Sequence, residues 1–423
     1  MTVVFEIVLS YLIVRSLVNN LAIFCILRRF SAALIRNTQL EDEKHLVLIL
    51  KVFQENELIE STVNYIAKEI EELNNISVII VGTARERNHS GINLTLVLAE
   101  NAASELKDFH IIEAPSDNGY HASQNNYALK TIKTPPDQTW ILTLDIDSRF
   151  SRKGLIGMIE NINDGKTVIQ QSCLFLSNFR ELGILQKGHA IYQSRWTIAH
   201  EIKRITFHNK TFVNVAHVVG HGLCIQLATL TKYGGFPEQV VAEDIALGFL
   251  LVADRKTITS LSVFEVGDCP NTLADGLRQE YVWSHGAMEY PLYLSLLIRD
   301  YPQIWNRNKF RCLAIVTQGV VSYIGWLTCS WIILMTIIGC VHGFVLALVY
   351  LFFYSCEFVQ CSWYFYSLRL IPIKYFFLSP VIGLLGSLRR SIGADYGFIL
   401  KLAGRSPYKY KTHHTKVSQQ GDS

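Results

Sequence analysis

Charge is scarce in this chain. Asp, Glu, Lys and Arg make up 18% of its 423 residues, half of which are hydrophobic. The mean hydropathy is +0.22. That is too apolar for a wholly soluble protein and too charged for a bundle of membrane helices alone. A soluble domain joined to a few membrane spans meets both conditions. A surplus of one sign is also missing. The net charge is +3, and nothing in it favours nucleic acid as a partner. The nine cysteines form no C-x-x-C pair, and five of them (Cys312, Cys329, Cys340, Cys356, Cys361) fall in an apolar C-terminal third. Cys behaves there as a small hydrophobe, so a disulfide or zinc framework is not expected. No internal repeat or low-complexity tract is present. No basic stretch precedes the first apolar run and no A-x-A-like site follows it, so a cleaved signal peptide is not expected.

Residues 7–27 are apolar except for Arg15 and groups such as Asn19 and Asn20. About 20 such residues cross a bilayer. A central Arg costs roughly 2.5–3.5 kcal/mol on insertion scales, which several Leu, Ile and Phe side chains offset. Residues 1–30 therefore read as an N-terminal transmembrane helix, with an interfacial helix as the plainer alternative. Arg28, Arg29 and Arg36 follow, so the positive-inside rule puts the next segment in the cytosol. The Asn-x-Ser/Thr sequons at Asn75, Asn88, Asn93 and Asn209 are then chance matches.

Residues 44–286 alternate between short apolar runs and helical patterns. Strands are expected over 46–53, 76–82, 110–113 and 140–146, with helices over 55–72 and 120–132. This is the pattern of an α/β domain with a mostly parallel sheet wound by helices. Ligands of such sheets sit at the carboxyl ends of the strands. Residues 287–310 mix Tyr, Leu, Trp and Pro. They suit a helix at the headgroup level, or an ordinary surface helix. Residues 311–390 form a C-terminal transmembrane module. Apolar runs over 312–333 and 337–353 are split around Gly339 and Gly343, and a shorter run over 371–388 contains Pro372 and Pro380. The third run spans or lies re-entrant, so three or four spans remain open. Residues 391–423 form a basic cytosolic tail. From Lys401 it carries Arg405, Lys409, Lys411 and Lys416, with no acid before Asp422.

The sequence Leu142-Thr143-Leu144-Asp145-Ile146-Asp147 ends an apolar run in two carboxylates. In an extended strand Asp145 and Asp147 share a face while Ile146 points into the core. Two hard oxygen ligands at a strand end suit a divalent cation holding a diphosphate. Solvated loop acids are the plainer reading. Three further motifs keep a consistent order. Val52-Phe53-Gln54-Glu55-Asn56 ends the first strand. Ala242-Glu243-Asp244 opens a helix over 244–251, after Gly234-Gly235-Phe236-Pro237-Glu238. Gln279-Glu280-Tyr281-Val282-Trp283 lies on a later helix, where Gln279 and Trp283 share one face. Gly220-His221-Gly222 precedes a strand over 223–226, and its glycines permit close backbone approach.

This set resembles family 2 glycosyltransferases, inverting enzymes with a nucleotide-sugar-binding domain of the GT-A type. With flanking spans it is similar to the membrane subgroup that includes cellulose, chitin and hyaluronan synthases and ceramide glucosyltransferase. The resemblance implies that Phe53 and Glu55 contact the nucleotide, and that Asp145 and Asp147 hold nucleotide and a Mg²⁺ or Mn²⁺ ion, Asp147 being the direct ligand. It implies that Asp244 is the general base, with Glu243 supporting the acceptor or the base. Gly222, Gln279 and Trp283 would lie at the acceptor and donor sugar, and His221 would be structural or contact the acceptor. Plainer readings stand beside these: helix N-terminal acids for Glu55 and Asp244, and core packing for Trp283. The chain departs from the pattern in four places. Ala242 stands where Thr is frequent. Val282 replaces the Arg of a Q-x-x-R-W motif, leaving Arg278 or His285 to compensate. Gly82-Thr83-Ala84 lacks an Asp. The segment Asn118-Gly119-Tyr120-His121 lacks a Lys, for which His121 stands in. The implied protein is an integral membrane enzyme, in the plasma membrane with its catalytic domain in the cytosol. It would take a sugar from a UDP-linked donor to a growing polysaccharide or, alternatively, to a lipid. An inactive relative serving as an assembly partner is the reading from another class.

Overall fold

The computed structural model describes residues 2–36, 38–87, 91–115, 121–207 and 218–404. Helix α1 (Thr2–Ser31) comes first. The domain that follows begins β1 (His45–Lys51), α2 (Ile59–Ile70), β2 (Ile76–Thr83), α3 (Leu94–Ala103), β3 (Phe109–Ala114) and α4 (His121–Thr131). It continues through β4 (Thr139–Leu144), α5 (Arg152–Asn163), β5 (Val168–Gln170), β6 (Cys173–Leu174), α6 (Ile184–Trp196) and α7 (Lys203–Phe207). A π-helical turn, Thr197–Ile202, joins α6 to α7. Then come β7 (Leu223–Gln226), α8 (Leu227–Thr231), α9 (Glu243–Ala253), β8 (Thr259–Ser260), β9 (Glu265–Val266) and α10 (Leu273–Met288). The chain continues as α11 (Tyr290–Asp300), α12 (Pro302–Val341), α13 (Val345–Ser367) and α14 (Ile373–Leu402).

Seven strands form one sheet in the order β3-β2-β1-β4-β7-β5-β8. The first four are parallel, and β7 runs antiparallel to both β4 and β5. The central strands are covered on both faces, so they read as unbroken apolar runs rather than alternating ones. Alternation still sorts the side chains. Val47, Ile49, Ile79, Val81 and Ile141 face α4 and α9. Leu46, Leu48, Val78, Ile80 and Leu142 face α2, α3 and α5. Gln124 of α4 ties off the two central strands by donating to Val52 O (2.9 Å) and Val81 O (3.2 Å).

Several expected boundaries shift. The first helix starts at Ile59 rather than residue 55, because Glu55 O accepts from Leu58 N and Ile59 N in a preceding turn. Strand β4 stops at Leu144, so Asp145 and Asp147 do not share a strand face. They lie in a turn closed by Ser148 N donating to Asp145 O at 3.0 Å. Ile146 is buried as expected. Asn93 is buried as the cap of α3, accepting from Leu96 N. The sequons at Asn88 and Asn209, residues 118–120 and the tail from Arg405 lie outside the described residues.

Among the described residues, three helices are long and apolar enough to cross a membrane: Val3–Ser31, Pro302–Val341 and Val345–Ser367. Helix α12 has 40 residues, about 60 Å at 1.5 Å per residue. That is roughly twice a bilayer core, and its first turns lie along the soluble domain. There Arg311 Nε donates to Val252 O at 2.7 Å. The break between α12 and α13 falls at Gly343, whose φ is +76°. Residues 287–310 are not one helix. They hold the end of α10, all of α11 and the start of α12, broken at Tyr301 before Pro302, as the residue before a proline disfavours helix.

Helix α14 runs on to Leu402, so Arg389 and Arg390 lie inside it rather than ending it. It crosses α6 at glycines: a Cβ on Gly188 would meet Ile382 O at 2.3 Å, and one on Gly386 would meet Gly188 O at 2.2 Å. Polar bonds fasten the apolar helices α1 and α13 to α6. Arg195 of α6 pairs with Glu357 of α13, which also accepts from Ser16 Oγ of α1 at 2.6 Å. Small-residue crossings and buried polar pairs are the usual means of holding membrane helices together.

Candidate active site

A cavity of about 600 Å³ opens at the carboxyl ends of β1 and β4 and runs on to α12. Phe53, Glu55, Asp145, Asp147, Glu243, Asp244, Gln279 and Trp283 all line it. Thus eight of the nine expected residues meet in one space. The ninth, Gly222, does not line it. Its φ is +64°, and a Cβ there would lie 2.5 Å from Gln171 O. Its N–H donates to Thr143 O at 2.9 Å. Gly222 thus turns the chain tightly enough for its neighbours Gly220 and His221 to face the cavity.

The sequence reading missed Lys51. This last residue of β1 is only 5% exposed. Its Nζ lies 2.6 Å from Asp145 Oδ1 and donates to Gly220 O at 3.0 Å. A Lys ending a buried apolar strand was the available signal, since lysine is rarely buried without a partner. Burial pushes the Asp145 carboxyl up, but Lys51, His121 and His221 outweigh it and hold the group below the usual carboxylate range. Among the described residues, no cluster of three His, Cys, Asp or Glu is arranged to hold a metal by itself. Two carboxylates fit a hard cation that takes its other oxygens from substrate phosphates and water.

Asp244 occupies the first turn of α9. Its Oδ2 accepts from Gly220 N and its Oδ1 from Ile245 N, both at 2.8 Å. It is not the N-cap, a position taken by Ala242. Gly220 therefore links the two halves of the site. Its N–H holds Asp244, and its carbonyl holds the lysine that pairs with Asp145.

His221 Nδ1 lies 3.2 Å from Glu265 Oε2. Burial alone would lower its pKa, but the Glu265 hydrogen bond and charge, with Asp145 and Glu201, raise it from 6.5 to about 9. The ring is therefore cationic at neutral pH. A raised folded-state pKa adds stability that is complete below pH 6.5 and lost as pH climbs through about 9. Melting of the detergent-solubilised protein is expected to fall across that interval, and His221→Gln is expected to remove that part of the decline. An identical pH slope in both proteins would show that His221 is not held as a cation.

A second residue missed in the sequence is Glu201, on the π-helical turn. Burial is the main cause that lifts its carboxyl to about 7, against a hydrogen bond from Ser172 Oγ at 2.6 Å. Arg85 also lines the cavity, its guanidinium 5.3 Å from the centre of the Phe53 ring. It follows Gly82-Thr83-Ala84, where an Asp was missing. On α10, Gln279 Oε1 is buried without a partner among the described residues. Trp283 sits 5.8 Å from Phe175, at the cavity wall rather than in the core. Val282 and Arg278 line the cavity. His285 does not, and it faces Glu289 at 3.8 Å. Of the two, Arg278, whose Nη1 lies 3.3 Å from Asp275 Oδ1, is thus the one that lines the cavity where Val282 replaces Arg.

Known proteins resemble this chain in family and fold. Residues 140–373, more than half of the chain, match the model of glycosyl transferase family group 2. No curated protein matches the sequence significantly. The mannosyltransferase PcManGT from Pyrobaculum calidifontis, solved with GDP-Man and Mn²⁺, superposes with a TM-score of 0.50 at 14% identity, covering 95% of this chain and 100% of that one. TarS 1-349 from S. aureus, solved with UDP-GlcNAc, gives a TM-score of 0.41 at 13% identity over 89% of this chain and 98% of that one. The family match spans the strand before Asp145, the helix bearing Asp244 and the start of α14, so this chain is a GT-A protein and belongs to glycosyl transferase family group 2.

Proposed function

We propose that this chain is an inverting membrane glycosyltransferase, moving a sugar from a nucleoside diphosphate to an acceptor hydroxyl on the cytosolic face. The observation that carries this reading is the Gly220 link, which sets the Asp145–Asp147 turn and Asp244 on one cavity. The nucleotide lies at the mouth, its base against Phe53 and Arg85. Asp147, with Asp145, would hold the Mg²⁺ or Mn²⁺ ion. A bound divalent cation neutralises the departing diphosphate. Lys51 keeps Asp145 ionised, and His221 adds a fixed positive charge beside it. Asp244 takes the proton from the acceptor hydroxyl as that oxygen attacks the anomeric carbon. Gln279 and Trp283 hold the acceptor in line, Trp283 by its ring face.

A uridine nucleotide rests on the family resemblance, since PcManGT was solved with GDP-Man and TarS with UDP-GlcNAc. A growing polysaccharide as acceptor rests on the resemblance to the synthases. A specific observation favours the alternative, a lipid: Ser322 and Trp326 of α12, a helix apolar enough to cross a membrane, line the cavity. A cytosolic catalytic domain rests on Arg28 and Arg29 in the last turn of α1 and Arg36 beyond it, and residence in the plasma membrane rests on the family resemblance. An inactive assembly partner is disfavoured because the three acidic side chains converge on the cavity.

The test is to incubate membranes bearing the full chain with labelled UDP- and GDP-sugars and to follow label into product. Transfer from a UDP-sugar is expected, with product in the organic phase for a lipid and as long chains for a polysaccharide. No transfer and no nucleotide release from any donor would overturn the enzyme reading.

A further inference from the structure

The cavity that Asp244 lines is also lined by Tyr290, by Arg204 of α7 and by Ser322 and Trp326 of α12. Tyr290 is close enough to feel the charges of both Arg204 and Asp244. Arg204 donates to Ser322 Oγ at 3.1 Å. Among the described residues, no carboxylate lies within ion-pair distance of it. The surroundings are positive. Arg15 and Lys203 face Arg204, and so does Arg390. Arg390 stacks on Trp326 at 3.7 Å and on Trp196 at 5.3 Å. The acidic group facing Arg204 is Glu201, whose carboxyl burial lifts to about 7.

Two further observations point to a ligand. Gln193 is 6% exposed and lines the cavity, yet its Oε1 has no hydrogen-bond partner among the described residues. A buried amide oxygen left unpaired is costly, and a bound donor group removes that cost. Ser322 and Trp326 lie in a helix apolar enough to cross the bilayer, so such a helix walls part of the cavity. An unpaired guanidinium in low dielectric selects an anion, phosphate above all.

We propose that the acceptor is an anionic membrane phospholipid with a hydroxylated head group, its phosphodiester held by Arg204 and Ser322 and its hydroxyl presented to Asp244. This rests on the transferase reading above and names the acceptor of that same site. The head-group oxygen bonds to the anomeric carbon and the bond from that carbon to the diphosphate breaks. The nucleoside diphosphate leaves with the electron pair, and the proton passes to Asp244. Gln193 accepts a hydrogen bond from a second head-group hydroxyl, and the acyl chains stay in the bilayer along α12. The product is a glycosylated phospholipid.

The full chain is reconstituted with the labelled donor and three acceptors: vesicles containing phosphatidylglycerol, vesicles of phosphatidylcholine containing diacylglycerol, and soluble glycerol phosphate. Label is expected in an organic-soluble, phosphate-bearing product from phosphatidylglycerol. Arg204→Gln is expected to raise the phosphatidylglycerol concentration for half-maximal transfer by about 10- to 100-fold, with partial recovery in Arg204→Lys. Equal transfer to diacylglycerol would overturn the anionic head group. Equal transfer to glycerol phosphate would overturn the membrane origin. Nucleoside diphosphate binding by the wild-type protein, titrated in the same preparation, separates the two layers of inference. Binding with no labelled lipid overturns the lipid acceptor alone, whereas absence of binding overturns the transferase reading itself.

Discussion

Asp244→Asn is expected to lower sugar transfer by about two to four orders of magnitude, the usual worth of a positioned acid or base. Nucleotide affinity is expected to stay near that of the wild type. Asparagine has the same shape, and its amide oxygen can still accept from Gly220 N, the bond that Asp244 Oδ2 accepts at 2.8 Å. The turn that carries His221, and through Gly220 O the Lys51–Asp145 pair, is therefore preserved. What disappears is a group able to take a proton, together with the bond that Oδ1 accepts from Ile245 N, since the amide has a single acceptor oxygen. Transfer rates and nucleoside diphosphate titrations on the same purified variant check both halves. Unchanged turnover would remove Asp244 from the role of base. Equal loss of turnover and nucleotide binding would mean that the residue supports the loop rather than the chemistry.

Removal of the divalent cation, or of its chief ligand, is expected to be as damaging. Chelation with EDTA should reduce transfer to about 1% or less, because charge on the departing diphosphate is worth several kcal/mol to neutralise. Asp147→Ala should reproduce most of that loss with Mn²⁺ present. The informative readout is nucleotide affinity with and without Mn²⁺. In the wild type the cation should tighten binding. In Asp147→Ala that gain should vanish, while affinity in EDTA should match the wild type. Asp145 is the less suitable variant, since Lys51 would lose its carboxylate partner in a buried position, where an unpaired charge is costly. An activity indifferent to EDTA would remove the metal role from both carboxylates.

Much of the domain was legible in the sequence because its central strands are buried on both faces. Continuous apolar runs at β1, β2 and β4 leave little choice of structure, and the helices between them force a parallel sheet. The exact end of β4 was not legible. It depends on Ser148 folding back on Asp145, a local turn that competes with the strand for the same residues. The break at Tyr301 was visible in Pro302 and went unread amid the Tyr- and Leu-rich stretch around it. Arg389 and Arg390 look like charges that end a span. In the fold Arg390 is buried, donating to Tyr192 Oη at 2.6 Å and stacking on two tryptophans, so α14 continues.

The site divides along the same line. Asp145, Asp147 and Asp244 were legible because each ends an apolar strand or opens a helix, in a recurring order. Lys51, Glu201 and Arg204 were not. Lys51 matters through a carbonyl 169 positions away. Arg204 matters through Ser322, 118 positions away on a helix apolar enough to cross a membrane. Composition and spacing carry no trace of such pairings, which exist only once the sheet and the spans have come together.

The anomeric configuration of the product gives the most direct reading of the chemistry at Asp244. Wild-type protein would be supplied with an α-linked UDP-sugar, and the proton coupling at the anomeric carbon of the isolated product would be read by NMR before any further processing. A single displacement with Asp244 as base delivers the β-anomer. An α-linked product would mean retention and would contradict the direct attack proposed for Asp244.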